Sequence, residues 1–170
     1  MSNRKLHKAF LGVGSNIGDR KRNIEEAFQR IEAAGIKIIK KSEIVETEPY
    51  GLKAQPNFLN CAVEVETNFN PGELLATLLS IELEMGRVRK IHWGPRIIDL
   101  DILFFDDSIV ATSNLKIPHP DLQNRLFVLE PLSQIAPYYK HPVINKTVKE
   151  MLDELKGKNS KGNNLQGDSK

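Results

Sequence analysis

The chain has 170 residues, 40% of them apolar and 27% charged, a size and balance that suit one globular domain with a single good core. Its 24 basic and 22 acidic residues leave a net charge of only +2, which gives little support for a general nucleic-acid binder. No apolar run approaches the ~18 residues of a membrane span, and no signal-type apolar stretch is expected at the start. The single cysteine, Cys61, excludes an internal disulfide and the common zinc spacings. It alternates with Leu59, Val63 and Val65, reads as a small buried residue rather than a nucleophile, and suits a reducing cytoplasm.

Taken in order, Ala9 to Gly14 predicts a first strand ending in the turn-rich Gly14-Ser-Asn-Ile-Gly18. Ile24, Ala27, Phe28, Ile31 and Ala34 recur at helical spacing, with Gly35 as a stop. Ile36 to Glu46 reads as one long, partly exposed strand, and Thr47 to Pro56 as a loop. Between Phe58 and Thr67, Leu59, Cys61, Val63 and Val65 face one way, and Phe58, Asn60, Glu64 and Glu66 the other. Asn70-Pro71-Gly72-Glu73 has the makings of a helix start: a capping side chain, a proline in the first turn and a glutamate at the third position. Leu74, Leu78, Ile81 and Met85 form that helix's buried stripe, and Gly86 ends it. An Arg/Trp-bearing loop then leads into a strand holding Asp99 and Asp101.

This order, βαββαβ, predicts an α+β ferredoxin-like sandwich. C-terminal additions follow it, among them a helix around Phe127 to Ile135 and a short one between Val143 and Leu155. Residues 1–156 form one domain on this reading. Residues 157–170 read as a polar, disordered tail, because nothing apolar repeats there.

The densest chemistry lies between Arg87 and Phe105. Asp99 and Asp101 alternate on one strand face, about 7 Å apart, while Ile98, Leu100, Ile102 and Phe104 point the other way. Two neighbouring acids in an apolar strand repel each other and lose hydration, and a divalent cation relieves both costs. Mg²⁺ takes carboxylate oxygens and shares them with phosphates, and Arg87, Arg89 and Arg96 suit a polyanion. One acid alone would read as a solvated residue paired to an arginine; two on one face favour the metal. Trp93 is either a core anchor or a stacking platform beside Gly94-Pro95. His119, held between two prolines, reads equally as a capping residue or a site residue. Gly12-x-Gly14-x-x-x-Gly18 is one residue too long for a dinucleotide fingerprint, no Walker A loop occurs, and acyl-transfer motifs are absent.

Four blocks in this order resemble the 6-hydroxymethyl-7,8-dihydropterin pyrophosphokinase family: Leu11-Gly-Val-Gly-Ser-Asn-Ile-Gly18, Thr47-Glu-Pro-Tyr…Phe58-Leu-Asn60, Gly86-Arg-Val-Arg…Trp93-Gly-Pro-Arg-Ile-Ile-Asp-Leu-Asp101, and Ile117-Pro-His-Pro-Asp…Asn124-Arg125. The resemblance implies ATP-dependent pyrophosphoryl transfer to the substrate's hydroxymethyl group, with release of AMP. It implies that Asp99 and Asp101 hold two Mg²⁺ ions, and that Arg87 and Arg96 serve catalysis by steadying the phosphates. Glu82, Arg87, Arg89, Trp93, Arg96, Ile102, His119 and Arg125 would form the ATP site. Thr47, Pro49, Phe58, Asn60, Trp93, Asp99 and Phe127 would form the pterin site. The chain departs from the family pattern at Pro120, at Phe58 in place of a tyrosine, and in a Lys90-to-Trp93 segment one residue shorter. Arg87 to Pro95 reads as a mobile lid.

The partners expected are ATP and the pterin, without nucleic acid or membrane, for a monomer. Two rival readings use the same residues. One is a non-catalytic RNA-binding module on the same scaffold, opposed by the absence of an RNP-type aromatic pair. The other is a metal-dependent phosphohydrolase acting on ATP without a pterin.

Overall fold

A computed structural model describes residues 4–48, 56–86 and 97–169, with the side chains of the last helix described through residue 158. In chain order the elements are β1 (His7–Ser15), α1 (Arg20–Ala33), β2 (Lys37–Lys41), β3 (Val45–Thr47), β4 (Phe58–Thr67), α2 (Pro71–Glu84), β5 (Asp99–Phe105), β6 (Val110–Ala111), β7 (Lys116–Ile117), α3 (Leu126–Ile135) and α4 (Val148–Ser169). The main sheet is antiparallel, in the order β2-β4-β1-β5, with β3 also paired to β4.

Local chemistry accounts for the helix ends. Asn70 Oδ1 accepts the Glu73 N–H at 2.8 Å and Glu73 Oε1 accepts the Asn70 N–H at 2.9 Å, the reciprocal box that the sequence predicts for α2. Gly35 and Gly86 close α1 and α2 with φ of +89° and +87°, where a Cβ would be strained. A second capping box had no place in the sequence expectations. Thr147 and Glu150 exchange bonds of 2.9 and 3.1 Å, so α4 starts at Val148 rather than near Val143. Its backbone stays helical to Ser169, past Gly157, where the composition predicts a disordered tail. Once a helix is nucleated, each further residue adds a hydrogen bond, which is how a polar segment can continue an anchored helix.

The long strand expected over Ile36–Glu46 is two strands. Lys41 pairs with Val63 and Val45 with Asn60, so one extra residue is absorbed between them. Ser42 holds this bulge, its hydroxyl accepting the Ala62 N–H at 2.8 Å while its own N–H reaches the Ala62 carbonyl at 2.9 Å. Another bulge corrects the expectation for β5. Leu11 faces Ile102 and Phe10 faces Phe104, leaving Leu103 extra, so the strict alternation that grouped Phe104 with Ile98, Leu100 and Ile102 fails. Leu103 and Phe104 both join the second core, and Phe105 returns to the first.

Two cores result. One packs α1 and α2 on the sheet through Ile24, Ala27, Ile31, Leu74, Leu78 and Ile81. The other packs α3 and α4 on the opposite face through Leu129, Leu132, Val148 and Met151 against Phe10, Ala62 and Phe104. The second face is covered at its Phe10–Phe104 end, and the Gly12–Gly14 end borders a cleft.

Among the described residues β5 is the edge of the main sheet, with no strand paired to one side of its backbone. Glu82 of α2, 1% exposed, fills part of that need: its Oε2 accepts the Leu100 N–H at 2.8 Å, between the two aspartates. Glu82→Ala would leave that N–H unmet, at a cost of about 1–3 kcal/mol. Glu82→Gln, which keeps an acceptor oxygen, should cost less, and equal urea midpoints for wild type, Ala and Gln proteins would refute this role.

Two histidines, one buried and one half-buried, couple the fold to pH. His141 is 5% exposed, its Nδ1 accepts the Val143 and Ile144 N–H groups at 3.1 and 3.0 Å, and its ring meets Phe104 edge-on. Burial lowers its pKa below the usual 6.5, and burial with the nearby Arg125 lowers that of His119. A folded-state pKa below the unfolded value means that protons favour the unfolded chain as pH falls through 6.5. Stability should therefore decline between pH 7 and 5, and His141→Gln should flatten that slope. Urea midpoints independent of pH over this window would contradict it.

Candidate active site

The central strand is bare where the site forms. Asn60, Gly14 and Asp99 lie in one register row across β4, β1 and β5, and Ala62, Gly12 and Asp101 lie in the next. With no side chain at Gly12 or Gly14, a trough separates the amide of Asn60 from the two carboxylates. The strand expected to end in a turn at Gly14 instead runs on to Ser15, so both glycines are floor positions of a cleft. Period-two glycines inside an apolar strand were the available signal, since glycine there marks a close approach by a ligand or backbone.

The cleft encloses about 800 Å³, open solvent at its mouth included. Thr47, Phe58, Asn60, Asp99, Asp101, His119, Arg125 and Phe127 all line it, so eight residues named from sequence meet in one place. Leu103, Val128 and Glu48 also line it and were not anticipated. A second cavity, lined by Ile102 with Leu75, Leu100, Leu115 and Pro120, shares Asp101 and His119 with the first. Glu82 is not among the residues lining either cavity; it sits behind β5, as described above. Pro49, Arg87, Arg89, Trp93 and Arg96, and with them the expected lid, lie outside the described residues.

Each wall has a local cause. β3 and β4 pair Thr47 with Phe58 and Val45 with Asn60, which brings Thr47 diagonally beside Asn60. Asn60 Nδ2 donates to Thr47 Oγ1 at 2.8 Å. The approach to β4 is tied down from β1 and α1. Buried Asn16 donates to the Pro56 carbonyl at 3.0 Å, and Arg20 donates to the Asn57 carbonyl at 2.8 Å and to Glu46 at 3.0 Å.

On the other wall, the His119 N–H reaches the Leu103 carbonyl at 3.0 Å, which docks the Pro118-His119-Pro120 segment onto β5. His119 Nδ1 accepts the Asp121 N–H at 3.4 Å. Burial and the neighbouring Arg125 hold the imidazole pKa below the usual 6.5, against the pull of Asp99 and Asp121, which favours the neutral ring; with Nδ1 accepting, that form carries its proton on Nε2. Arg125, 14% exposed at its side chain, pairs with Asp121 at 3.3 Å and lies 5.8 Å from the Phe127 ring centre. The Asn124 amide, at 2.9 Å, and Arg125 hold Asp121 below the usual carboxylate range.

These walls can hold a flat, hydrogen-bonding ring between aromatics beside an anion-binding edge. Asp99 and Asp101 are half-buried, point to the cleft face and stand over glycines, which leaves room for a hard cation shared with phosphate oxygens. Among the described residues no group of three or more His, Cys, Asp or Glu side chains is placed to hold a metal ion. Cys61 also borders the cleft, but burial pushes its thiol up to about 12, far from nucleophilic at neutral pH. No helix among the described residues is long and apolar enough to cross a membrane.

Comparison with known proteins places this geometry. A protein from Bacillus subtilis named 2-amino-4-hydroxy-6-hydroxymethyldihydropteridine pyrophosphokinase is 46% identical over 129 residues, covering 75% of this chain and 77% of its own length. One of the same name from Aquifex aeolicus is 41% identical over 145 residues, covering 85% and 90%. In three dimensions the chain is similar to a crystal structure of Plasmodium falciparum HPPK-DHPS with pteroate, at a TM-score of 0.74 and 20% identity, over 91% of this chain and 43% of that one. That likeness speaks to the fold alone. The family model described as 7,8-dihydro-6-hydroxymethylpterin-pyrophosphokinase matches residues 10–137, the span that carries the trough, the aspartates and the His119 wall, and the chain belongs to that family.

Proposed function

We infer that the protein moves the terminal pyrophosphoryl group of ATP onto the hydroxymethyl oxygen of 6-hydroxymethyl-7,8-dihydropterin, in folate biosynthesis. The observation that carries this reading is the single cleft in which Asn60, Phe58 and Phe127 face Asp99, Asp101, His119 and Arg125 across a glycine floor, in a member of this family. The domain would be a ferredoxin-like βαββαβ unit over residues 1–156, with α3 and α4 added on its second face. The protein would act as a monomer in the cytoplasm, with no nucleic acid or membrane. Nothing in the family match favours the RNA-binding alternative.

In this proposal Phe58 and Phe127 hold the two faces of the pterin, and Asn60 meets its hydrogen-bonding edge. The ring then lies over Gly14, with its hydroxymethyl group directed toward the aspartates. The cavity behind Ile102 takes the nucleoside part of ATP. Its triphosphate crosses the shared wall of Asp101 and His119, where neutral His119 donates from Nε2 and Arg125 adds positive charge. Two Mg²⁺ ions held by Asp99 and Asp101 would neutralise charge on the phosphates and acidify a hydroxyl beside them. The hydroxymethyl oxygen forms a bond to the β-phosphorus, the bond from that phosphorus to the α-bridging oxygen breaks, AMP leaves and the hydroxyl proton passes to solvent. Positioning supplies much of the rate, so no strong side-chain base is required. Arg87, Arg89, Arg96, Trp93 and Pro49 belong to this proposal from sequence, as does Glu82 on the ATP side. The buried contact with Leu100 gives Glu82 a further task in supporting β5.

The protein incubated with Mg²⁺, ATP and the hydroxymethyl dihydropterin should yield AMP and the pterin diphosphate. ADP as the only nucleotide product, or phosphate released from ATP without the pterin, would sink the proposal, the latter in favour of a phosphohydrolase. Asp99→Ala and Asp101→Ala should each remove several kcal/mol of transition-state stabilisation, more than about a hundredfold in rate. Both should unfold at near wild-type urea concentrations, and near-normal rates in both would refute the metal assignment.

A further inference from the structure

Asp121 and Arg125 flank a short 3-10 turn, Leu122–Asn124, on the His119 side of the cleft. Both backbones are fixed. Leu122 is fully buried between them, the Asn124 N–H reaches the Asp121 carbonyl at 3.1 Å, and the Arg125 carbonyl accepts the Leu129 N–H at 3.0 Å. The Asp121 carboxylate does not cap the turn it precedes. It meets side chains instead. Oδ1 accepts the Asn124 amide at 2.9 Å, and Oδ2 stands 3.3 Å from Arg125 Nε, which is buried. A guanidinium only donates and a carboxylate only accepts, so this contact has a single sense. The Arg125 side chain is 14% exposed and that of Asp121 37%.

An ion pair with one partner this exposed adds little to folding, so the effect of Asp121 falls on the site. Two opposed influences act there. The carboxylate's charge repels phosphate, while its hold on Arg125 spares the nucleotide the cost of ordering a long, rotamer-rich side chain. Water screens the repulsion at the partly exposed carboxylate, whereas the guanidinium that it orders is nearly buried, so the hold is the larger influence. We propose that Asp121 is a positioning residue that keeps the Arg125 guanidinium in the direction from which it meets the polyphosphate of the nucleotide. Asn124 steadies the carboxylate for that task. Asp121 acts through Arg125, not on the substrate. The inference rests on the ATP reading above and deepens it.

The test measures, by calorimetry with Mg²⁺ and a non-hydrolysable ATP analogue, the affinities of wild type, Asp121→Ala, Arg125→Ala and the double variant. Asp121→Ala should weaken nucleotide binding roughly tenfold, the loss of one charge-assisted hold. In the Arg125→Ala background the same substitution should change the affinity by less than about twofold, because the group it acts through is gone. Binding of 6-hydroxymethylpterin to Asp121→Ala without nucleotide should stay within about twofold of wild type. Asp121→Asn keeps the shape and loses the charge, so it should weaken the nucleotide less than Ala does, and it takes the place of Ala in the cycle if Asp121→Ala does not fold. Unchanged or tighter nucleotide binding in the single Asp121 variants overturns the inference. So does a loss of equal size in both backgrounds, which a purely structural role would produce. Either result leaves the functional reading standing, since AMP formation by the wild type reports on that separately. A wild type that binds no nucleotide overturns the functional reading, and this inference with it.

Discussion

A strand side chain stands roughly perpendicular to its sheet, so two glycines at alternate positions of a central strand open a trough the width of that strand. Gly12 and Gly14 do this on β1, which is flanked by β4 and β5. The rest of the site depends on that bare ground. Asn60 on one side and Asp99 on the other are two strands apart, about 10 Å by ordinary strand spacing, which is enough for a bicyclic ring between them. Residues with side chains at positions 12 and 14 would join the second core and leave Asn60, Asp99 and Asp101 as an ordinary polar rim.

β5 carries two demands on one face, and the bulge at Leu103 reconciles them. Its first half must present acids to the cleft, and its second half must bury aromatic surface under α3 and α4. Strict alternation would put Asp99, Asp101 and Leu103 on the second face and send Phe104 to the first core. The extra residue turns Phe104 over, beside Phe10 and Tyr139. The same strand thus changes from a ligand-facing to a core-facing role within three residues. Its open edge meets Glu82 at Leu100, so the backbone between the two acids is held from the helix side as well as from β1.

Much of this was legible in the chain. Helical spacing marked the stripes of α1 and α2, the Asn70–Glu73 box marked a helix start, and alternation put Phe58 and Asn60 on the face opposite Cys61 and Val63. The Asp99–Asp101 pair stood out by charge alone. What escaped was non-local. A one-residue register shift leaves no mark in a strand's composition, so none of these bulges could be read from it. Gly14 reads as the start of a turn because glycine is common in turns, and the meaning of Gly12 and Gly14 together depends on what β4 and β5 place beside them. Thr147–Glu150 was a missed local signal, hidden among loop-like residues. The buried role of Glu82 depends on β5 being an edge strand, a property of the sheet order rather than of the helix that carries the residue.

The two cavities share Asp101 and His119, and that shared wall constrains how their contents interact under the proposed function. A ligand in the Ile102 cavity and one in the Asn60 cleft would both lie against the same carboxylate, so the charge brought by the first changes the field met by the second. Neutral His119 limits this coupling to the acids, the arginine and whatever ion they hold; a cationic imidazole would screen the aspartates and compete with a metal for them. Burial and Arg125 lower the pKa of His119, and its backbone is docked on the Leu103 carbonyl. The bulge residue therefore serves both halves of the molecule. Its side chain reaches over Gly12 at the edge of the trough, and its carbonyl fixes the histidine that divides the two cavities.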